Sequence, residues 1–219
     1  MENLDRLTPP SMEGSLSYGW EKTKQHFLPL LLVVIVVSVV NLPTNSATQD
    51  IRDMNGENLM WSALKGLYFL LIIPMFSYSA DLMFVQAIRD QKLDYGDLFA
   101  GFKRFLDVVL ANLLSGALVI FGIVLLIIPG IWIGCRLAFV SYLVMDQGMG
   151  PVEAVQTSWR MTDGHAWKIF VLAIVSIFIA LIGLICLIVG IFPALIWIKA
   201  AFASMYESVR LSEVPGELE

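Results

Sequence analysis

Long apolar runs separated by short polar segments set the pattern of this chain. The first run, Leu28 to Val40, is followed by a polar stretch from Asn41 to Asn58, and a second covers Leu59 to Ile88 with Pro74 inside it. From Asp107 to Met145 the chain is almost unbroken apolar. As one helix that run would extend about 58 Å, against a hydrocarbon core of about 30 Å. One straight crossing cannot hold it, so Pro129-Gly130 predicts two helices meeting in a tight turn, with Trp132 beside it at interface depth. Trp167 to Tyr206 poses the same length problem, and Gly190 with Pro193 offers the same solution. The pattern predicts an all-α polytopic membrane protein with six transmembrane helices arranged as three hairpins. Several crossings are short, which implies a thinned bilayer or length borrowed from flanking turns.

A polar segment of helical periodicity precedes each hairpin. The middle one places Tyr95, Leu98, Phe99, Phe102, Phe105 and Leu106 on one stripe and Asp94, Asp97, Lys103 and Arg104 off it, the pattern of an amphipathic helix lying on a membrane surface. In the third, Pro151 suits a first helical position, Val152, Val155 and Trp159 recur at helical spacing, and Asp163-Gly164 stops the helix. The first, with Leu16, Trp20, Thr23 and Phe27, is weaker. YGWEKTKQHF, AGFKRF and TSWRMTDGHAWKIF each set an aromatic and basic residues before a hairpin, and IWIGCRLAFVSY from Ile131 resembles IWIKAAFASMY from Ile196. The reading is a single membrane domain, 1–219, of three parallel repeats. Its parts are a polar tail 1–14, repeats 15–88, 94–146 and 150–209, and an acidic tail 210–219.

Lysines and arginines fix the orientation. Arg6, Lys22 and Lys24, then Arg89, Lys92, Lys103 and Arg104, then Arg160 and Lys168, with Arg210 at the end, all fall on one side. That side is cytoplasmic and holds both termini. Composition agrees with lipid as solvent: 58% of the residues are hydrophobic, 15% are charged, and the mean hydropathy is +0.76. The net charge of -5 offers no basic field for nucleic acid. A cleaved signal peptide is the rival reading of the first run. Its leader, which includes Glu13 and Glu21, is too long and too acidic for one, so the N-terminus is expected to remain.

Asp81, Arg136 and Lys199 are the charges deepest in the apolar runs, at nearly the same distance beyond Pro74, Pro129 and Pro193. Either they form an intramembrane ion-paired cluster at the axis of the hairpins, or they snorkel outward separately. A transport pathway would need further polar residues at depth, and only Asn112, Ser115, Ser141 and Ser176 stand out. Gly116, Gly122, Gly183 and Gly190 suit close helix approach, within the chain or between copies. Cys135 and Cys186 lack metal or disulfide spacing, and His26 and His165 have no second ligand nearby. No catalytic, cofactor or metal motif is expected.

Leu126-Ile127-Ile128-Pro129-Gly130-Ile131, Gly150-Pro151-Val152-Glu153-Ala154 and Ser158-Trp159-Arg160-Met161-Thr162-Asp163-Gly164 resemble a bacterial group. It comprises the membrane domain fused to glycerophosphoryl diester phosphodiesterases and its stand-alone multi-pass relatives. The resemblance covers the last half of the chain and implies the bacterial cytoplasmic (inner) membrane and a link to lipids. It supplies no catalytic residues, because the soluble phosphodiesterase domain has no counterpart here. The expected function is a non-catalytic module that interacts with membrane lipids or binds a membrane-protein partner, or a second copy. Trp20, Phe102, Lys103, Arg104, Trp159 and Arg160 would be its interfacial anchors. The alternative is a small transporter or channel using Asp81, Arg136 and Lys199.

Overall fold

The computed structural model describes residues 10–42, 56–185 and 190–213, leaving out the side chains of residues 56–59 and 213. Among them the secondary structure is all helical. Helix α1 (Met12–Gln25) is capped by Ser11, whose hydroxyl accepts the Gly14 N–H. It turns by 98° at His26 into α2 (Phe27–Asn41). Then come α3 (Gly56–Ile88), a short 3-10 turn over Tyr95–Phe99, α4 (Ala100–Lys103) and α5 (Phe105–Leu125). They are followed by α6 (Ile127–Arg136), α7 (Val140–Asp146), α8 (Pro151–Met161), α9 (Ala166–Ile185) and α10 (Ile191–Glu213).

Among the described residues, four stretches are long and apolar enough to cross a membrane: Met60–Ile88, Phe105–Leu125, Ile127–Asp146 and Ala166–Ile185. A fifth arises if α1 and α2 count as one bent span. Four or five crossings of the expected six are thus present among the described residues. Helix α2 has only 15 residues, and α10 dilutes its apolar start with Lys199, Glu207, Arg210 and Glu213.

Several breaks fall elsewhere than the sequence pattern predicts. The expected turn at Pro129-Gly130 lies one turn earlier, at Leu126, which is extended at φ -165° and ψ 146°. Pro129 then sits in the first turn of α6, where its missing N–H costs no helical bond. Gly130 serves contact instead of turning: a Cβ there would lie 2.7 Å from the Ile123 amide nitrogen. Pro74 does not interrupt α3. The middle amphipathic helix is broken at Arg104, so Phe105 and Leu106 begin α5. Gly122 and Gly183 do permit close approach, to Gly130 and to Ala194, but Gly116 faces open space. Cys186 lies outside the described residues.

Burial divides the molecule into two tiers. The C-terminal half of α3 from Tyr78, all of α7, and α10 from Ala200 to Val209 carry most of the fully buried side chains, among them Phe84, Ile88, Leu143, Met205 and Tyr206. Around them pack α1, the 95–103 segment and α8, and together with the buried parts of α3, α7 and α10 they form a collar. Beyond the collar, α2, the first half of α3, α5, α6 and α9 expose apolar side chains: Leu28, Leu67, Phe69, Phe121, Val124, Ile128, Phe178 and Ile185 are all open.

The three segments α1, 95–103 and α8 dock alike, each on an apolar helix: α1 on α10, the 95–103 segment on α3, and α8 on the junction of α6 and α7. Gly19 of α1 lies against the backbone of Ala200 and Ala201. Gly101 lies against Met75 and donates its N–H to the Ser79 hydroxyl at 2.8 Å. Ser158 of α8 donates to the Arg136 carbonyl at 2.8 Å and accepts the Phe139 N–H at 3.3 Å. The small residue precedes Trp20, Phe102 and Trp159 in the three segments. At the third site the serine also supplies the bonds that α6 and α7 lose at their break between Leu137 and Phe139.

Candidate functional site

Asp81 and Lys199 meet where the two tiers join. The Lys199 ammonium donates to Asp81 Oδ1 at 2.6 Å, and the carboxylate is buried while the lysine is two-fifths exposed. A charge removed from water needs such a partner, and its presence alone implies structure before chemistry.

Arg136, the third member of the expected cluster, is elsewhere. Its guanidinium lies over the Trp132 and Trp159 rings, 5.9 Å and 5.4 Å from their centroids. It donates to Asp163 at 2.9 Å and to the Trp159 carbonyl at 3.2 Å. Arg136 therefore fastens α6 to α8. The reason is local: the Asp163 carboxylate and two indole faces lie within its reach.

A cavity of about 240 Å³ opens beside Asp81, between α3, α5 and α7. Three of the four polar residues expected at membrane depth, Asn112, Ser115 and Ser141, converge on it with Ser77 and Tyr78; Ser176 does not. The Ser176 hydroxyl instead donates to the Leu172 carbonyl of its own helix. The Ser115 hydroxyl is buried and has no hydrogen-bond partner among the described residues. Pro74 also lines the cavity, and by lacking an N–H it leaves the Leu70 carbonyl without its helical donor. Lys199 lines a separate, smaller apolar cavity on the α2 side with Val33, Val37, Phe84 and Leu195; Ser77 borders both.

The most densely bonded charges escaped the sequence reading. Where the ends of α3 and α7 meet the C-terminal half of α10, Arg89 grips Asp146 bidentately, at 2.6 Å and 2.7 Å, and Glu207 at 2.7 Å. Glu207, fully buried, also accepts from Arg210 at 2.9 Å. The Tyr206 hydroxyl donates to Asp146 at 2.9 Å and accepts from the Gln147 amide at 3.0 Å. Two cations thus balance two carboxylates. Burial opposes the Arg89 charge, but the hydrogen bonds it donates to Asp146 and Glu207 outweigh it and raise its pKa. The available signal is position: Arg89, Asp146 and Glu207 each follow directly on a long apolar run.

Of the proposed anchors, Trp20, Phe102 and Trp159 are each about two-fifths exposed, and Lys103 and Arg160 are exposed. Two of the aromatics also touch rings of the fold: Trp20 lies 4.9 Å from Trp197 and Phe102 lies 5.5 Å from Phe76, centroid to centroid. Arg104 is turned inward instead. It donates to the carbonyls of Val144 and Gly148, both at 2.6 Å, and so caps the end of α7. Comparison with protein-family models, curated proteins and solved structures finds no match to this chain.

Proposed function

We propose that this protein is a non-catalytic module of the bacterial cytoplasmic membrane that interacts with lipids, with three hairpins crossing six times and both termini cytoplasmic. The observation that carries this reading is the stacking of the two tiers. A wide exposed apolar surface stands directly on a collar whose outer face presents Trp20, Phe102, Lys103, Trp159 and Arg160. Aromatic rings and cations at such a boundary suit the headgroup layer, with each basic residue contributing about 1 kcal/mol near an anionic surface. The resemblance to the membrane domain of glycerophosphoryl diester phosphodiesterases favours the same setting.

The test is thermal unfolding in nanodiscs of anionic and of zwitterionic lipid. Anionic lipid should stabilise the wild type, and the doubly substituted Lys103→Ala, Arg160→Ala protein should lose most of that gain. Equal stability of the wild type in both lipids would remove the anchoring role.

The alternative, a small transporter or channel, is favoured by one observation: polar groups of α3, α5 and α7 gather around Asp81. Reconstituted protein would then conduct protons or small ions, and Asp81→Asn would change that flux. Absence of flux in wild-type liposomes would reject this reading.

A further inference from the structure

The polar cavity between α3, α5 and α7 has a one-sided chemistry. Asp81 is the sole charged residue among its lining residues. Lys199 pairs with Asp81 from the other cavity and through Oδ1 alone, so the second carboxylate oxygen keeps its accepting capacity. The remaining polar groups are the hydroxyls of Ser77, Tyr78, Ser115 and Ser141 and the amide of Asn112. These include no fixed cation. Hydroxyls accept as well as donate, the Asn112 amide carries an acceptor oxygen, and a carboxylate only accepts. An occupant supplying several N–H donors and positive charge matches this inventory; an anion would meet Asp81 with no facing cation.

Depth and shape narrow the class further. Asp81 lies where the exposed apolar half of α3 gives way to its buried half, the level assigned above to lipid headgroups. Phe69, Ile73, Pro74, Leu137 and Val140 make the rest of the wall apolar, so an ammonium carrying a short carbon chain is accommodated and a strongly hydrated metal ion is not. The unpartnered Ser115 hydroxyl, buried at the wall, is the kind of polar group a bound donor would satisfy.

We propose that this cavity binds a primary ammonium group, with Asp81 as its counter-ion and Ser77, Tyr78, Asn112, Ser115 and Ser141 as its hydrogen-bonding lining. The ammonium belongs either to the headgroup of an aminophospholipid or to a free small amine. The inference rests on the lipid-interacting reading only for the first source.

The experiment uses the full chain in nanodiscs that offer phosphatidylethanolamine against phosphatidylcholine, with retained lipid counted by mass spectrometry. In parallel, n-butylamine is titrated onto detergent-solubilised protein and read by thermal unfolding. A trimethylated headgroup has no N–H, so wild type should retain phosphatidylethanolamine about tenfold over phosphatidylcholine, the loss expected for a missing charge-assisted hydrogen bond. Asp81→Asn should abolish that preference. Ser115→Leu, which fills the cavity and leaves the Asp81–Lys199 pair untouched, should abolish it too and decides the matter if Asp81→Asn does not fold. Stabilisation by n-butylamine, lost in Ser115→Leu, with no lipid preference would assign the site to a free amine. No preference and no stabilisation, or a preference that survives Ser115→Leu, would overturn the proposal. The anionic-lipid test at Lys103 and Arg160 is read independently, so failure of the anchoring role is distinguishable from failure of this site.

Discussion

The collar and the apolar tier are built in part from the same helices, yet they solve different problems. In the collar, side chains interdigitate as in a water-soluble core, and the charges are paired and hydrogen-bonded: Arg89 with Asp146 and Glu207, Lys22 with Asp90. In the tier, α5 and α9 are only 22% buried along their most apolar stretch, against 50% for α3, which traverses both tiers. Where lipid can serve as solvent, a helix need satisfy only its own backbone and present apolar side chains. Where the chain meets the headgroup layer and water, it must supply packing and partners of its own. Stability should therefore reside in the collar, and the tier should tolerate change.

The largest expected effect follows from the buried network. Arg89→Ala would leave Asp146 and Glu207 facing each other with Arg210 as the one remaining cation among the described residues, in a site where Glu207 has no exposure. Removing one partner of such a network costs about 3–5 kcal/mol, and thermal unfolding in nanodiscs should show the collar melting first. An unchanged melting temperature would mean that the network contributes nothing and that the two tiers are equally tolerant.

Next in size are the docking glycines. A Cβ at Gly101 would lie 2.5 Å from the Met75 carbonyl oxygen and 3.0 Å from its Cα, atoms of a helix backbone that cannot step aside. Gly101→Val should cost about 1–3 kcal/mol, as overpacking does. At Gly116, in the tier, an added Cβ would meet nothing within 4 Å. There Gly116→Ala should gain about 0.5–1 kcal/mol through helix propensity. Opposite signs at two glycines would sharpen the contrast, while equal costs would blur it.

The difference between the tiers also explains what the sequence reveals. Apolar runs and helical periodicity announce the helices because each run is long and hydrophobic enough to leave no other secondary structure available. Their ends are less legible. Leu126 breaks the chain ahead of Pro129 because proline is tolerated in a first helical turn, and Arg104 breaks it because its guanidinium caps α7, a contact some forty residues away in sequence. Register alone leads to Asp81 and Lys199, but the same register misplaces Arg136, whose indole and carboxylate partners come from α6, α8 and the turn after it. The Arg89 network was hidden for a related reason. Charges at the ends of apolar runs read as flanks of a span, and only the convergence of α3, α7 and α10 turns three such flanks into a buried cluster.

A smaller effect is expected where the collar meets water. Burial resists ionisation of Asp90, but hydrogen bonds from Lys22 and His26 outweigh it and hold its pKa below the ordinary carboxylate value. A lowered folded-state pKa stabilises fully above the unfolded value, about 3.9, and the contribution is lost as pH falls through the folded value. Asp90 is 42% exposed, so screening keeps the contribution under about 1 kcal/mol. The stability difference between wild type and Asp90→Asn should persist at neutral pH and shrink below about pH 4. A difference that stays constant down to acid pH would assign the effect of Asn to packing around Lys22.

The smallest effect belongs to the far end of the tier. Val124 is 77% exposed near the close of α5, so Val124→Ala removes two methyl groups that touch few protein atoms and leaves no cavity behind. The transfer that makes such a truncation costly in a core is from water to protein; here the side chain has lipid around it in both the intact and the loosened bundle. Alanine is also the better helix former. Stability in nanodiscs, read by thermal unfolding, should therefore change by no more than about 0.5 kcal/mol. The same substitution type at Val85, fully buried in the collar half of α3, should cost at least about 1 kcal/mol more. A loss at Val124 as large as at Val85 would mean that its exposed face is covered by protein, through a second copy or a partner helix, and would move the search for an interface to the tip of α5.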